Sequence, residues 1–274
     1  MFDIKKRSLL ALLFTMLIPS IASAGITLTN ISQSDYGNIV KDFSADAMFT
    51  TVSPASSLGK LWGGEIGVLA GITKTPRIQT IVRSADSTAK NVDKFPHGDI
   101  MAALTIPWGF TLEGVAFPRI KISTVNYESY GGAAKWTFSD LISEDFPIPM
   151  AFRAFYTQSR IAYTQPASTG SAVSLNVDFK DSIYGGQFLA SYKLLFAEPY
   201  MGIGWTKAVG DITVAGSTTI FATSFTSSQT ASDTENAFHY FAGFNLQFGF
   251  FVMGAEYERA YATNSVTGKL SARF

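Results

Sequence analysis

Hydrophobic and polar residues alternate along the last ten positions of the chain. Val266, Gly268, Leu270, Ala272 and Phe274 fall on one side, and the residues between them are polar or charged. A period of two is typical of a β-strand with one apolar and one polar face. The pattern therefore predicts a strand that finishes on an aromatic residue.

The same period of two recurs from residue 58 to the end, and turn-forming residues separate its segments. It predicts strands at about 60–73, 99–107, 110–122, 126–139, 148–164, 172–195, 199–215, 236–248 and 250–262, and a tenth that ends the chain. An even number of strands, joined alternately by short turns and longer loops, is typical of a transmembrane barrel. Residues 58–274 are therefore predicted to form an all-β, antiparallel up-and-down β-barrel of about ten strands.

One segment does not fit the pattern simply. Residues 172–195 exceed the roughly ten residues with which a strand crosses a bilayer. Their apolar positions also change from odd numbers, ending at Phe179, to even numbers, beginning at Tyr184. A β-bulge near Asp181 would explain both features. The alternative is a turn at that point and a barrel of twelve strands, which would need another strand before Lys60.

Residues 25–57 follow a helical period instead. Tyr36, Ile39, Val40, Phe43 and Ala47 recur at the spacing of one helix face, which predicts a short amphipathic helix from about Asp35 to Met48. In a barrel protein such a helix could plug the lumen, cap the barrel on its periplasmic side, or rest on the membrane surface.

The first 24 residues have the features of a secretory signal peptide. Lys5, Lys6 and Arg7 precede an apolar run at 9–18, and Ala22-Ser23-Ala24 provides a cleavage motif before Gly25. This pattern predicts export across the inner membrane by a cleaved signal peptide.

Composition narrows the class of protein. Charged residues make up 15% of the chain, compared with about 25% in soluble domains. The formal net charge is +0, so no basic field for nucleic acid is expected. After the signal peptide no apolar stretch is long enough for a membrane-spanning helix. The chain has no cysteine, which excludes disulfides.

Aromatic residues concentrate near the ends of the predicted strands. Rings with amphipathic character favour the two lipid–water interfaces, whereas a soluble β-sandwich would place them at mid-strand. If both termini face the periplasm, the periplasmic group comprises Trp62, Trp108, Phe110, Trp136, Phe138, Phe196, Tyr200, Phe248, Phe250, Phe251 and Phe274. The opposite group comprises Tyr127, Tyr130, Tyr156, Tyr163, Phe238, Tyr240, Tyr257 and Tyr261.

Three short motifs resemble those of bacterial outer-membrane barrels. The Phe274-terminated strand resembles the signal read by the barrel-assembly machinery, although Gly268 stands one position away from the usual glycine. The sequence 199–204, Pro-Tyr-Met-Gly-Ile-Gly, is similar to a strand start of small eight-stranded barrels, and residues 54–59 resemble the entry to an uncharacterised group of proteobacterial barrels. The resemblance implies a Gram-negative outer-membrane location, with membrane lipid and the assembly machinery as partners.

Catalytic and metal-binding patterns are weak. The two histidines, His97 and His239, show no ligand spacing, and no Gly-x-Ser-x-Gly motif or phosphate-binding loop occurs. We therefore predict no metal, no cofactor and no enzymatic activity. His239 is interpreted as a residue that fills the lumen.

Charged residues on the polar faces suggest a common level inside the barrel. The predicted belt consists of Glu65, Glu113, Lys135, Arg153, Lys193, Glu256, Glu258, Lys269 and Arg273. Opposite signs fall on neighbouring strands, as in Glu113 with Lys135 and in Glu65 or Glu256 with Lys269. The belt could form a selectivity constriction or a polar filling that stabilises the barrel. The second interpretation is favoured because a ten-stranded barrel is narrow.

These features predict an integral outer-membrane barrel with a structural, binding or narrow-channel role. The alternative is a transporter of small hydrophobic molecules with an N-terminal plug. A barrel enzyme and a secreted soluble β-protein are the other hypotheses. A hydrophobic or ionic solute is thus a possible partner.

Overall fold

The computed structural model describes residues 33–59, 61–85, 93–122, 125–141, 148–165, 175–215, 218–220, 223–225 and 229–274. The predicted signal peptide, residues 1–24, lies outside this part of the chain. Tyr163 belongs to a described strand, but its side chain lies outside the description.

Ten antiparallel strands form a closed barrel, which confirms the predicted fold class and strand number. The barrel strands are β1 (Gly63–Lys74), β2 (Lys94–Ile106), β3 (Phe110–Ile122), β4 (Val125–Trp136), β5 (Met150–Gln165), β6 (Leu175–Ser191), β7 (Ala197–Ala215), β10 (Gln229–Phe248), β11 (Phe251–Ala260) and β12 (Thr263–Arg273). Each strand pairs with the next one along the barrel, and β1 closes it by pairing with β12. A separate hairpin consists of β8 (Thr218–Ile220) and β9 (Thr223–Phe225).

Two α-helices accompany the barrel in the part of the chain that the structure describes. Helix α1 (Gln33–Asp46) corresponds to the predicted amphipathic helix, whereas α2 (Pro76–Ala85) falls in a segment predicted to be a loop. Pro76 at its first position is compatible with a helix start because proline lacks only an N–H that would be unpaired there. No helix within the described ranges is long and apolar enough to cross a bilayer.

The outside of the barrel is apolar and the inside is largely polar. In β1, Ile66, Val68 and Ile72 are 54%, 49% and 53% exposed, whereas the inward Glu65 is 2% exposed. A soluble protein would bury the first three side chains and hydrate the fourth. The inverted arrangement is the one expected for a barrel surrounded by lipid.

The prediction of a β-bulge in β6 was wrong. Residues of β6 pair without interruption with β5 on one side and β7 on the other. Phe179, Asp181 and Ile183 all point inward and are buried. The change of apolar positions arises because the lumen itself is apolar around Phe179, where α1 packs. The register shift that does occur lies in β3, between Phe117 and Ile120, next to Pro118.

Most of the aromatic residues predicted for the end that carries Phe274 are exposed. Trp62, Trp108 and Phe274 are 65%, 74% and 81% exposed. Tyr200 is an exception, because it is 4% exposed and points into the lumen. The cause is its position in β7, where it shares the inward face with small residues such as Gly202. Tyr261, predicted for the opposite group, is also buried, in the turn between β11 and β12.

Candidate functional site

Helix α1 lies in the half of the barrel away from Phe274. It contacts β6, β7, β10, β12 and β1 as well as α2. The Tyr36 hydroxyl donates a hydrogen bond of 2.9 Å to the carbonyl of Gly210, in the far half of β7. Burial and the nearby carboxylates of Asp211 and Asp181 raise the pKa of the Tyr36 hydroxyl. Tyr36 and Val40 pack against Phe179 and Ile212 in one apolar cluster.

Residues 47–58, here called the threading segment, follow α1 toward the Phe274 end. Thr50 donates a 2.6 Å hydrogen bond to Glu256, and Thr51 and Ser53 each donate one of 3.0 Å to Glu113. Further along, Lys135 donates to the carbonyl of Pro54 at 2.8 Å. The segment therefore contacts successive levels of the inner wall.

The last part of the threading segment reaches the end of the barrel. Ser56 and Ser57 donate hydrogen bonds of 2.8 and 2.7 Å to Glu198 and Asp140. The backbone N–H of Leu58 donates to the Thr105 hydroxyl at 3.0 Å. These contacts join the segment to β2, to β7 and to the turn after β4, directly before β1 begins.

The structure brings most residues of the predicted belt together in two ion-paired groups. In the first, Lys269 and Arg273 lie 2.8 and 2.7 Å from Glu65. In the second, Lys135 and Arg153 lie 3.2 and 3.3 Å from Glu113. All of these residues except Arg273 are buried.

Glu256 and Glu258 lie in the lumen but outside these groups. Glu256 accepts hydrogen bonds from Thr50 and, at 2.8 Å, from the Tyr200 hydroxyl. Glu258 is 5% exposed, and its Oε1 lies 3.9 Å from Nε2 of His239. The expected alternative pairing of Glu256 with Lys269 is not the ion pair observed, because Lys269 contacts Glu65.

Lys193 does not belong to the belt. Strand β6 ends at Ser191, so Lys193 lies in the connection to β7, where its side chain is exposed. The prediction was wrong because it extended the period of two beyond the true strand end.

Arg153 connects the belt to aromatic rings across the lumen. Its guanidinium carbon lies 5.6 Å from the ring centre of Phe49 in the threading segment and 5.6 Å from that of Phe241 on β10. Its Nε also donates to Gln187 on β6. A cation held between two rings is stabilised by their negative faces. These contacts join β5 to β6, to β10 and to the threading segment.

Both histidines lie in the lumen. His239 is fully buried, and its Nε2 lies 3.0 Å from the Gln187 side-chain nitrogen. Nδ1 of His97 lies 3.0 Å from Asp46 at the end of α1. Among the residues that the structure describes, no three His, Asp or Glu side chains are arranged to hold a metal ion.

Several residues that contact the belt escaped prediction. Thr50, Thr51 and Ser53 were assigned only to a connection, and Tyr200 was assigned to the outer surface. The inward position of Tyr200 could have been predicted. Tyr200 lies on the same face of β7 as Gly202, Gly204 and Thr206, and this face is unusually small and polar. The threading segment has no comparable periodic signal.

Comparison with known proteins identifies a family. The family described as "Family of unknown function (DUF6588)" matches residues 69–271. No match was found among curated protein sequences.

Similar solved structures are outer-membrane barrels of low sequence identity. Ail of Yersinia pestis is 14% identical, with 77% of this chain and 99% of that chain covered and a TM-score of 0.31. The protease OmpT of Escherichia coli is 9% identical, with coverages of 80% and 100% and a TM-score of 0.43. The translocator domain of the autotransporter NalP from Neisseria meningitidis is 9% identical, with coverages of 88% and 95% and a TM-score of 0.41.

Proposed function

The chain belongs to the family of unknown function DUF6588, and we propose that it is an integral outer-membrane β-barrel that forms a narrow channel, closed at rest by its own N-terminal segment. The observation that carries this proposal is the course of residues 33–58. They contact the inner wall from Gly210 on β7 to Thr105 on β2.

The distribution of polar groups supports a membrane location. Large apolar side chains are exposed on the outside of the barrel, and ionic groups are buried inside. Exposed tryptophan and phenylalanine residues at the Phe274 end match an interfacial girdle. With short turns on the periplasmic side, as in other barrels, the Phe274 end faces the periplasm and α1 lies at the outer end.

The threading segment is bound in a way that permits its release. It offers hydroxyl groups to Glu113 and Glu256 and backbone carbonyls to Lys135. The Glu113 and Glu65 ion pairs are formed within the wall itself. Because removal of the segment would leave these ion pairs intact, the belt could persist as a polar constriction after opening.

Val52 stores strain in the threading segment. Its φ of 48° is in the left-handed region, which a β-branched residue rarely adopts. Such a conformation persists only where surrounding contacts hold it, and it costs about 1–3 kcal/mol. This strain lowers the energy needed to displace the segment.

The chemistry of the lumen favours polar solutes over hydrophobic ones. A hydrophobic molecule that crossed the lumen would have to pass the ion pairs of Glu65 and Glu113. These charged groups offer no favourable contacts to an apolar molecule. A ten-stranded barrel lies between filled barrels of about eight strands and porins of about 16–18 strands. The channel proposed is therefore suited to ions and small polar molecules.

A reversible disulfide tests the proposal in the full-length protein. A Cβ added at Gly210 would lie 2.7 Å from Cγ2 of Val40, so cysteines at both positions meet the spacing of a disulfide, with Cβ atoms about 3.8 Å apart. The chain has no other cysteine. In planar bilayers the wild type should open rarely and the oxidised Val40→Cys/Gly210→Cys variant never, and a reductant should restore the openings.

Two further variants complete this experiment. The single cysteine variants control for effects of substitution alone, and Thr51→Val/Ser53→Ala should increase the fraction of time open by removing hydrogen bonds to Glu113. Unchanged conductance in the oxidised double-cysteine variant would contradict gating by α1. No conductance in the wild type or the loosened variant would instead indicate a purely structural barrel.

A further inference from the structure

A small chamber lies between the end of α1 and the barrel wall. The residues that line it include Asp46 and Thr50 of the N-terminal segment and His97, Asp99, Thr157 and Glu258 of the wall. Its free volume of about 20 Å³ is enough for a water-sized particle. We call it the acidic chamber, because three carboxylates and one imidazole line it.

Among the described residues, one of the three carboxylates lies at hydrogen-bond distance from a basic side chain. Asp46 lies 3.0 Å from Nδ1 of His97. Asp99 accepts a hydrogen bond of 3.1 Å from the hydroxyl of Ser129. Glu258 has no ion pair shorter than its 3.9 Å approach to His239 within the described part of the chain. Asp99 and Glu258 therefore line the chamber with no basic side chain at hydrogen-bond distance among the described residues.

Two polar atoms of the chamber wall lack any hydrogen-bond partner. These are Oε1 of Glu258 and the hydroxyl of Thr157, and both residues are at least 95% buried. An unpaired buried carboxylate oxygen costs more than an unpaired neutral group. A positively charged donor in the chamber would donate one hydrogen bond to Oε1 of Glu258 and another to the hydroxyl oxygen of Thr157.

We propose that the acidic chamber binds a small monovalent cation of the size of ammonium. The inference rests on the proposed channel and names the class of solute that it admits. An ammonium ion supplies N–H donors for carboxylate and hydroxyl oxygens, and an alkali-metal ion would use the same oxygens as ligands. A divalent ion is disfavoured because no three His, Asp or Glu side chains in the described ranges are arranged to hold a metal ion, and for the same reason ammonium, which needs only hydrogen-bond acceptors, is favoured over an alkali-metal ion.

The position of the chamber links binding to the gate. Asp46 is the last residue of α1, and the hydrogen bonds of the threading segment to the barrel wall begin at Thr50. A cation bound by Asp99 and Glu258 of the wall is therefore held directly against the N-terminal segment. The bound cation should stabilise the closed state.

Thermal unfolding of the full-length protein in detergent tests binding without any conductance measurement. The probes are ammonium chloride, potassium chloride and tetramethylammonium chloride at constant ionic strength. Ammonium or potassium should raise the unfolding midpoint in a saturable way, and tetramethylammonium, too large for the chamber, should not. A larger effect of one of the first two salts identifies the preferred cation.

Substitutions in the chamber locate the effect. Glu258→Gln should abolish the saturable rise, and Thr157→Val should weaken apparent affinity by about tenfold, the loss expected for one hydrogen bond to a charged ligand. Glu128→Gln is the control, since this partly exposed carboxylate is paired with Arg160 outside the chamber. Heat-dependent migration on gels verifies that each variant folds.

The outcomes separate this inference from the proposed channel. Equal midpoints in the three salts, or a rise that survives Glu258→Gln and Thr157→Val, would overturn the cation site even if the disulfide experiment demonstrates gating. A saturable, Glu258-dependent rise in a protein that never conducts would establish the site while refuting passage.

Discussion

At the scale of single residues, Glu113 has the most extensive set of partners in the belt. Lys135 and Arg153 form ion pairs with it, and Thr51 and Ser53 donate hydrogen bonds to it. The residue is 5% exposed and Lys135 is fully buried. Buried ion pairs add little net stability compared with an apolar substitute, but the loss of one partner leaves the other charge uncompensated.

Replacement of Glu113 should therefore be costly. Glu113→Gln leaves two buried cations without their anion and should lower the free energy of unfolding by about 3–5 kcal/mol. Urea unfolding of the refolded protein in detergent measures the change. Lys193→Ala is the control, because this exposed side chain should contribute no more than about 0.5 kcal/mol. Similar effects of the two substitutions would show that the loss of Glu113 does not leave buried charges uncompensated.

At the scale of elements, α1 and α2 are held together through one side chain. Asp42 of α1 is fully buried and accepts hydrogen bonds from the backbone N–H groups of Arg77 and Ile78, at 2.8 and 3.0 Å. It thus caps the start of α2 from another helix. The Arg77 guanidinium adds an ion pair to Asp42 at 2.8 Å and a hydrogen bond to the Tyr261 carbonyl.

Loss of this cap should loosen α1. Asp42→Ala leaves two backbone donors and the Arg77 side chain without their acceptor, so amide hydrogen exchange in α1 should accelerate by at least about tenfold. Exchange followed by mass spectrometry measures it. Lys41→Ala is the matched control, because its partly exposed pair with Glu235 should be worth less than about 1 kcal/mol. Equal exchange in both variants would mean that α1 is held by its apolar face alone.

At the scale of the whole molecule, the barrel closes where β1 meets β12. The backbone groups of Gly64 and Phe274 exchange two hydrogen bonds, of 2.7 and 2.9 Å. The Phe274 ring lies over Gly64, where an added Cβ would come within 2.5 Å of it. The ring is 81% exposed, so its side chain is available to a partner outside the barrel.

The terminal aromatic should matter more for assembly than for the stability of the finished barrel. Phe274→Ala keeps the backbone hydrogen bonds of the seam, so refolding in detergent should be almost normal. In cells, recognition by the assembly machinery should weaken, and the heat-modifiable form in outer-membrane fractions should fall several-fold. Phe251→Ala, a change in another exposed aromatic at the same end, should have little effect. Normal insertion of Phe274→Ala would show that the ring is incidental to assembly.

The alternation of apolar and polar residues was sufficient to predict the barrel and to identify the inward-facing residues of most strands. Glu113, Lys135 and Arg153 were placed at one level from their strand face and their position along the strand, and in the structure Lys135 and Arg153 lie 3.2 and 3.3 Å from Glu113 as ion pairs. Lys193 was misplaced because parity does not indicate where a strand ends. The apolar phase of β6 was misread because the pattern alone cannot tell a lipid-facing residue from one that faces α1.

The sequence by itself determined the features that depend on local periodicity: ten strands, a helix near the start, and an apolar exterior. The tertiary structure alone decided what occupies the lumen. Thr51 and Ser53 meet Glu113 about sixty positions away, and Tyr36 meets Gly210 still farther along the chain. Contacts at such separations leave no period in the sequence, because closure of the barrel, and not the order of neighbouring residues, brings these groups together.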